Sequence, residues 1–157
     1  MHSFERIEKR IEKLYENIEE FKKESRQSAH KAQDRESKTI QPKENVRGTK
    51  GKITIENYIG GRYYFTCDEV EIHKNTIRLI EAKHGKNSFP KIDDVKDALL
   101  KMILYTNLEK IYYDDKEYKP IPVLKLTTDS CHFCIPNYYN ILLKESETNG
   151  FLVETGN

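Results

Sequence analysis

Long hydrophobic runs are missing from this chain. No stretch of about 18 apolar residues occurs, so no transmembrane helix and no membrane partner are expected. The opening residues, MHSFERIEKR, lack the apolar core of a signal peptide. Cysteine is scarce: Cys67, Cys131 and Cys134 are the three. An odd, low count argues against a disulfide scaffold and fits a reducing cytoplasm. Charge of one sign is also lacking, because 27 Lys and Arg meet 26 Asp and Glu for a net charge of +1. The molecule is therefore no polycation, and attraction for a polyanion has to come from local clustering. No internal repeat is visible.

The chain has 157 residues, 36% apolar and 34% charged. That suits one domain with one core, polar but not disordered throughout. Composition divides it into three stretches. Residues 1–24 read as an amphipathic helix, with Phe4, Ile7, Ile11, Leu14, Ile18 and Phe21 at steps of three and four and Ser3 as N-cap. Such a stripe packs on its own domain or pairs with another helix, which would make a homodimer. Residues 25–52 have few apolar positions and no period, so they read as a loop or polar arm. From Lys31 to Lys52 seven basic residues stand against three acids. The arm is either a solvated linker or a phosphate-binding segment, with Lys43, Arg47 and Lys50 as the contacts.

Residues 53–157 read as the core. KITIENYI, RYYFTCDEVEIH and TIRLIEAK are expected strands, separated by turns at Gly60-Gly61 and His73-Lys74-Asn75-Thr76. KIDDVKDALLKMILYTNL is an expected helix with Ile92, Val95, Leu99, Met102 and Ile103 on one face. PVLKLTT is a further strand and PNYYNILLKES a final helix. The order helix, three strands, helix, strand, helix implies an α/β (α+β) fold with a mixed central sheet flanked by helices.

One strand poses a chemical question. TIRLIEAKHG places Glu81 and Lys83 two residues apart, hence on one face, beside Ile77 and Leu79. A two-residue loop at Lys74-Asn75 sets the hairpin register: Ile72 opposite Ile77, Val70 opposite Leu79, Asp68 opposite Glu81 and Thr66 opposite Lys83. The other face then pairs Glu71 with Arg78. Two opposed carboxylates repel, and one lysine does not cancel that cost. A divalent cation does. Mg²⁺ takes one or two carboxylates, waters and phosphate oxygens, and such an ion assists hydrolysis of a phosphodiester.

CDEVEIHKNTIRLIEAKH resembles the PD-(D/E)xK nuclease signature: an Asp, a hairpin, then Glu-x-Lys on the next strand. The resemblance covers roughly Phe4 to Thr127 and looks most like type II restriction endonucleases, including nuclease domains linked to DNA methyltransferases. It implies a restriction-endonuclease-like core and a Mg²⁺-dependent endonuclease acting on double-stranded DNA, with Mn²⁺ as an alternative ion. Asp68, Glu81 and the Ala82 backbone carbonyl would hold the metal, and Asp68, Glu81 and Lys83 would form the catalytic set. His84 and Lys86, just after the lysine, would touch DNA phosphates, and a cognate methyltransferase would be a partner. Cys67 stands where a Pro often precedes the Asp, which leaves Glu69 and Glu71 as alternatives to Asp68. Such superfamilies sometimes draw an extra acid from the first helix, where Glu12, Glu16, Glu19 and Glu20 are candidates. The chain is short for a complete restriction enzyme, so a fragment, or a protein working beside a methyltransferase, is the expectation.

Other constellations are weaker. Cys131-His132-Phe133-Cys134 contains one C-x-x-C without a second, which argues against zinc. Tyr63, Tyr64, Tyr112, Tyr113, Tyr138 and Tyr139 could stack on bases or simply pack the strands. The rival reading is a non-catalytic DNA-binding or assembly domain that keeps a relic nuclease core.

Overall fold

The structure, a computed structural model, describes residues 7–9, 11–12, 17–38, 50–130 and 135–156. The chain divides into two compact units, one of residues 1–38 and 52–65, the other of residues 39–51 and 66–157. Composition had suggested boundaries after residues 24 and 52. The chain passes between the two units after residues 38, 51 and 65.

In the first unit, helix α1 spans Ile18–Lys38. This corrects the expected loop, since residues 25–38 are helical. The stretch SRQSAHKAQDRESK contains no Gly, Pro or β-branched residue, so intrinsic propensity favours a helix even without an apolar stripe. Gln33 is its one buried side chain, and its Nε2 donates to the carbonyls of Ile53 and Phe65 at 3.0 and 2.6 Å. The expected continuous helix over residues 1–24 is interrupted at Asn17. There Oδ1 accepts the Glu20 N–H at 3.2 Å, capping α1. Residues 7–9 and 11–12 are helical, yet Ile7, Ile11 and Ile18 are about half exposed rather than packed in a core. Ser3, Phe4 and Leu14 lie outside the described residues.

Strands β1 (Gly51–Glu56) and β2 (Arg62–Cys67) pair as a two-stranded sheet of their own. Ile53 and Ile55 face inward as their alternation implies. Ile59 does not: it sits in the turn and is exposed. That turn is tied by Asn57, whose Oδ1 accepts the N–H groups of Ile59 and Gly61 at 3.2 and 2.8 Å, and Gly60 supplies the positive φ of 77°.

The second unit is a mixed five-stranded sheet with helices. β3 (Glu69–His73) and β4 (Thr76–Gly85) form the expected hairpin around Lys74-Asn75. Its register is the one counted from the turn: Ile72 opposite Ile77, Glu71 opposite Arg78, Val70 opposite Leu79. The strand expected as one piece over residues 62–73 is broken at Asp68. Helix α2 (Ile92–Thr106) then packs on β4 and on β6 (Lys116–Thr128), which runs parallel to β4. Its buried stripe is Val95, Ala98, Met102 and Tyr105, whereas Ile92 and Ile103, expected inside, are exposed. β5 (Ile111–Tyr113) and β7 (Leu152–Gly156), neither expected, pair with β6, and α3 (Tyr139–Asn149) leads into β7.

β6 tolerates two prolines for a local reason. The Lys119 N–H points toward β4, donating to the Asn75 carbonyl at 2.9 Å. By alternation Pro120 and Pro122 direct their absent N–H to the other side. There β5 partners only residues 116–118 and β7 only residues 123–127. No ladder donor is required in the gap.

Candidate active site

β4 is buried from Leu79 to Ala82. Glu81, in its middle, is 3% exposed, and an uncompensated carboxylate at that depth is costly. Two ammonium groups compensate it. Lys83 Nζ lies 3.1 Å from Oε1 and Lys101 Nζ 2.8 Å from Oε2. Lys83 comes from the same strand face two residues on. Lys101 comes from α2, and its Nζ also reaches the Thr66 carbonyl at 3.3 Å, which the Tyr105 hydroxyl approaches at the same distance. Burial keeps the Tyr105 phenol protonated.

Asp68 is 4% exposed and sits at the break between β2 and β3. The β3–β4 ladder ends at Glu69 opposite Ile80. The next inward N–H, that of Ala82, is taken by Asp68 Oδ2 at 2.9 Å, so the carboxylate substitutes for a main-chain acceptor. Within a strand the N–H and C=O of one residue point to the same side, so the Ala82 carbonyl also faces the side where the ladder has ended. Burial first, and then the Glu81 charge, push the Asp68 carboxyl up to about 6, against the lowering effects of the Ala82 N–H, Lys101 and Lys83. Asp68, Glu81, Lys83 and Lys101 thus form one electrostatic cluster of two acids and two bases. Thr66, whose carbonyl joins the cluster, carries a buried hydroxyl without a hydrogen-bond partner among the described residues.

No protein-family model, curated protein or solved structure matches the chain. Its chemistry therefore rests on the side chains themselves.

The alternatives to Asp68 are engaged elsewhere. Glu69 pairs with Lys125 at 3.1 Å, and Glu71 with Arg78 at 2.8 Å, where Arg78 also holds Glu154. His84 is not with Glu81 and Lys83. Alternation puts it on the opposite face, where Nδ1 meets Thr127 Oγ1 at 2.9 Å and Nε2 meets Asp129 at 3.4 Å. Lys86 is exposed in the bend after β4, and Lys50 is half-buried. Lys43 and Arg47 lie outside the described residues, as do Glu16 and the whole Cys131–Cys134 segment. In the first unit Glu12 is exposed, Glu19 pairs with Lys22 at 3.0 Å, and Glu20 contacts Asn17. The Cys67 thiol is turned to the Glu69 and Ile80 carbonyls at 3.1 and 3.2 Å, and burial pushes it up to about 12, so it is held protonated. Tyr138 and Tyr139 pack against Phe89, whereas Tyr63, Tyr112 and Tyr113 are exposed.

Sequence reasoning missed Lys101. Its signal was faint: a lysine flanked by the buried residues Ala98, Met102 and Tyr105 on a helix expected to cover the sheet.

The donor set suits a hard cation. Asp68 keeps Oδ1 beyond its bond to Ala82, the Ala82 carbonyl faces the side where the ladder has ended, and the Glu81 oxygens are each held by a lysine. No group of three or more His, Cys, Asp or Glu converges among the described residues, so carboxylates alone supply two ligands. Mg²⁺ accepts such a sparse set because it retains waters and takes substrate oxygens. No helix among the described residues is long and apolar enough to cross a membrane.

Proposed function

We propose that the chain is a Mg²⁺-dependent DNA endonuclease of restriction-enzyme type, with a PD-(D/E)xK core. What supports this reading is that Asp68 and Glu81 are both buried where the β3–β4 ladder ends, that the Glu81 charge adds to the rise of the Asp68 carboxyl, and that Lys83 lies 3.1 Å from Glu81 Oε1. Asp68, Glu81 and the Ala82 carbonyl would hold the ion, with Mn²⁺ as a substitute. A bound ion supplies Lewis-acid polarisation of the scissile phosphate and a more acidic water. The chain's own residues do the rest. Lys83, tethered to Glu81 Oε1 with a partly exposed side chain, holds an ammonium where charge builds on the phosphate or orients the attacking water. Lys101, 2.8 Å from Glu81 Oε2, holds that carboxylate in place. Lys86, just beyond the strand, and the basic residues Lys43, Arg47 and Lys50 are the proposed backbone contacts to double-stranded DNA. A second copy of the chain and a cognate DNA methyltransferase are the partners this reading implies, in the cytoplasm.

One observation favours the rival. Both Glu81 oxygens already carry a lysine, and two acids with two bases are neutral without any cation. A relic core kept as a DNA-binding or assembly domain needs nothing more.

Thermal melting separates the two without relying on cleavage. Mg²⁺ at a hundred times its dissociation constant should stabilise the wild type by about 2.7 kcal/mol. Asp68→Asn and Glu81→Gln should melt at temperatures that Mg²⁺ does not change. A wild type indifferent to Mg²⁺ supports the relic.

A further inference from the structure

The first unit carries a groove that the proposed cleavage chemistry does not use. It is an open, shallow depression of about 340 Å³ lined by Arg26, Gln27, His30 and Lys31 of α1 and by Tyr64 of β2. Positions 26, 27, 30 and 31 recur at one and four residues, so they share one side of the helix. The Tyr64 ring, half-buried, meets the His30 ring at 5.3 Å and 51°. The groove therefore combines two permanent cations, an amide and an aromatic wall. Asp34, one turn beyond His30, does not cancel that charge. Its carboxylate is bound by Lys52 at 2.5 Å and by His30 at 3.5 Å, and Lys52 holds it below the usual carboxylate range.

We propose that this groove binds one nucleotide unit of a single-stranded nucleic acid. The base stacks on Tyr64 and His30, and the phosphate is held by Arg26 and Lys31. Flat π-faces together with cations are what single-strand binders use, because every base has a face to stack and every unit a phosphate to neutralise. An inorganic anion would use the cations but not the ring, and an uncharged aromatic would use the ring but not the cations.

The test is binding of the full chain, carrying Lys83→Ala to prevent cleavage, to a short single-stranded oligonucleotide. Deoxynucleoside monophosphate, inorganic phosphate and duplex of the same sequence are the comparison ligands. Tyr64→Leu, which loses the ring and keeps an apolar side chain, should weaken the oligonucleotide by roughly five- to hundredfold. Tyr64→Phe keeps the face and should bind as before, which distinguishes lost stacking from a damaged fold. Arg26→Ala and Lys31→Ala should each reduce the salt slope by about 0.7. Unchanged binding in Tyr64→Leu would overturn the proposal. So would inorganic phosphate binding as tightly as the monophosphate, or Tyr64→Leu weakening the duplex as much as the single strand. The endonuclease reading can fail while this binding persists, and the reverse, because no readout here depends on cleavage.

Discussion

Asp68 is a carboxylate in costly surroundings. It is buried beside another buried acid, and its carboxyl rises from 3.8 to about 6. The folded chain therefore holds a proton between those values that the unfolded chain has released. Stability from this group is fully present below pH 3.8 and is lost as pH rises through about 6, a difference of roughly 3 kcal/mol. In chelator, the wild type should lose stability relative to Asp68→Asn as pH is raised from 4 to 8. Asn still offers Oδ1 to the Ala82 N–H but does not titrate. Melting temperatures of both proteins across that range are the check, and parallel curves would refute the shift. The same proton competes with a cation, so metal affinity should weaken as pH falls below about 6. Counting back from the Lys74-Asn75 turn gave the pairs as far as Glu69 opposite Ile80; the counted pairs of Asp68 with Glu81 and Thr66 with Lys83 lie beyond the end of the ladder. Lys101 was not legible, because which residue of a helix meets which residue of a strand depends on crossing angle and depth, and neither leaves a local pattern.

Among the elements, hairpins were the most legible and polar helices the least. The β3–β4 register followed from turn length and a period of two. α1 was missed from residue 25 onward because a helix that buries only Gln33 displays no apolar stripe. β5 and β7 were missed for length, at three and five residues. The end of β4 shows how an element positions the site. Gly85 lies two residues after Lys83, and a Cβ there would stand 2.1 Å from the Ser88 carbonyl oxygen and 2.9 Å from the Phe89 carbonyl carbon. Both are backbone atoms, so the bend over residues 86–89 has to move. Gly85→Ala should cost roughly 1–3 kcal/mol, measured by denaturant unfolding, whereas Gly156→Ala, with open space around its Cβ, should be nearly neutral.

At the scale of the whole molecule, the mixed sheet flanked by helices agrees with the expected fold class, with α2 crossing between the parallel strands β4 and β6. One passage of the chain between the two units, from Phe65 to Thr66, falls inside β2, where the composition does not change. What the molecule does turns on whether its buried acids serve chemistry or only balance two lysines. Cleavage of supercoiled plasmid in Mg²⁺, by the wild type and by Lys83→Ala side by side, decides this most directly. Lys83→Ala keeps both carboxylates and removes one preorganised donor. The endonuclease account predicts Mg²⁺-dependent nicking or linearisation by the wild type and a rate lower by roughly a hundredfold or more in the variant. Equal rates in the two proteins would contradict it.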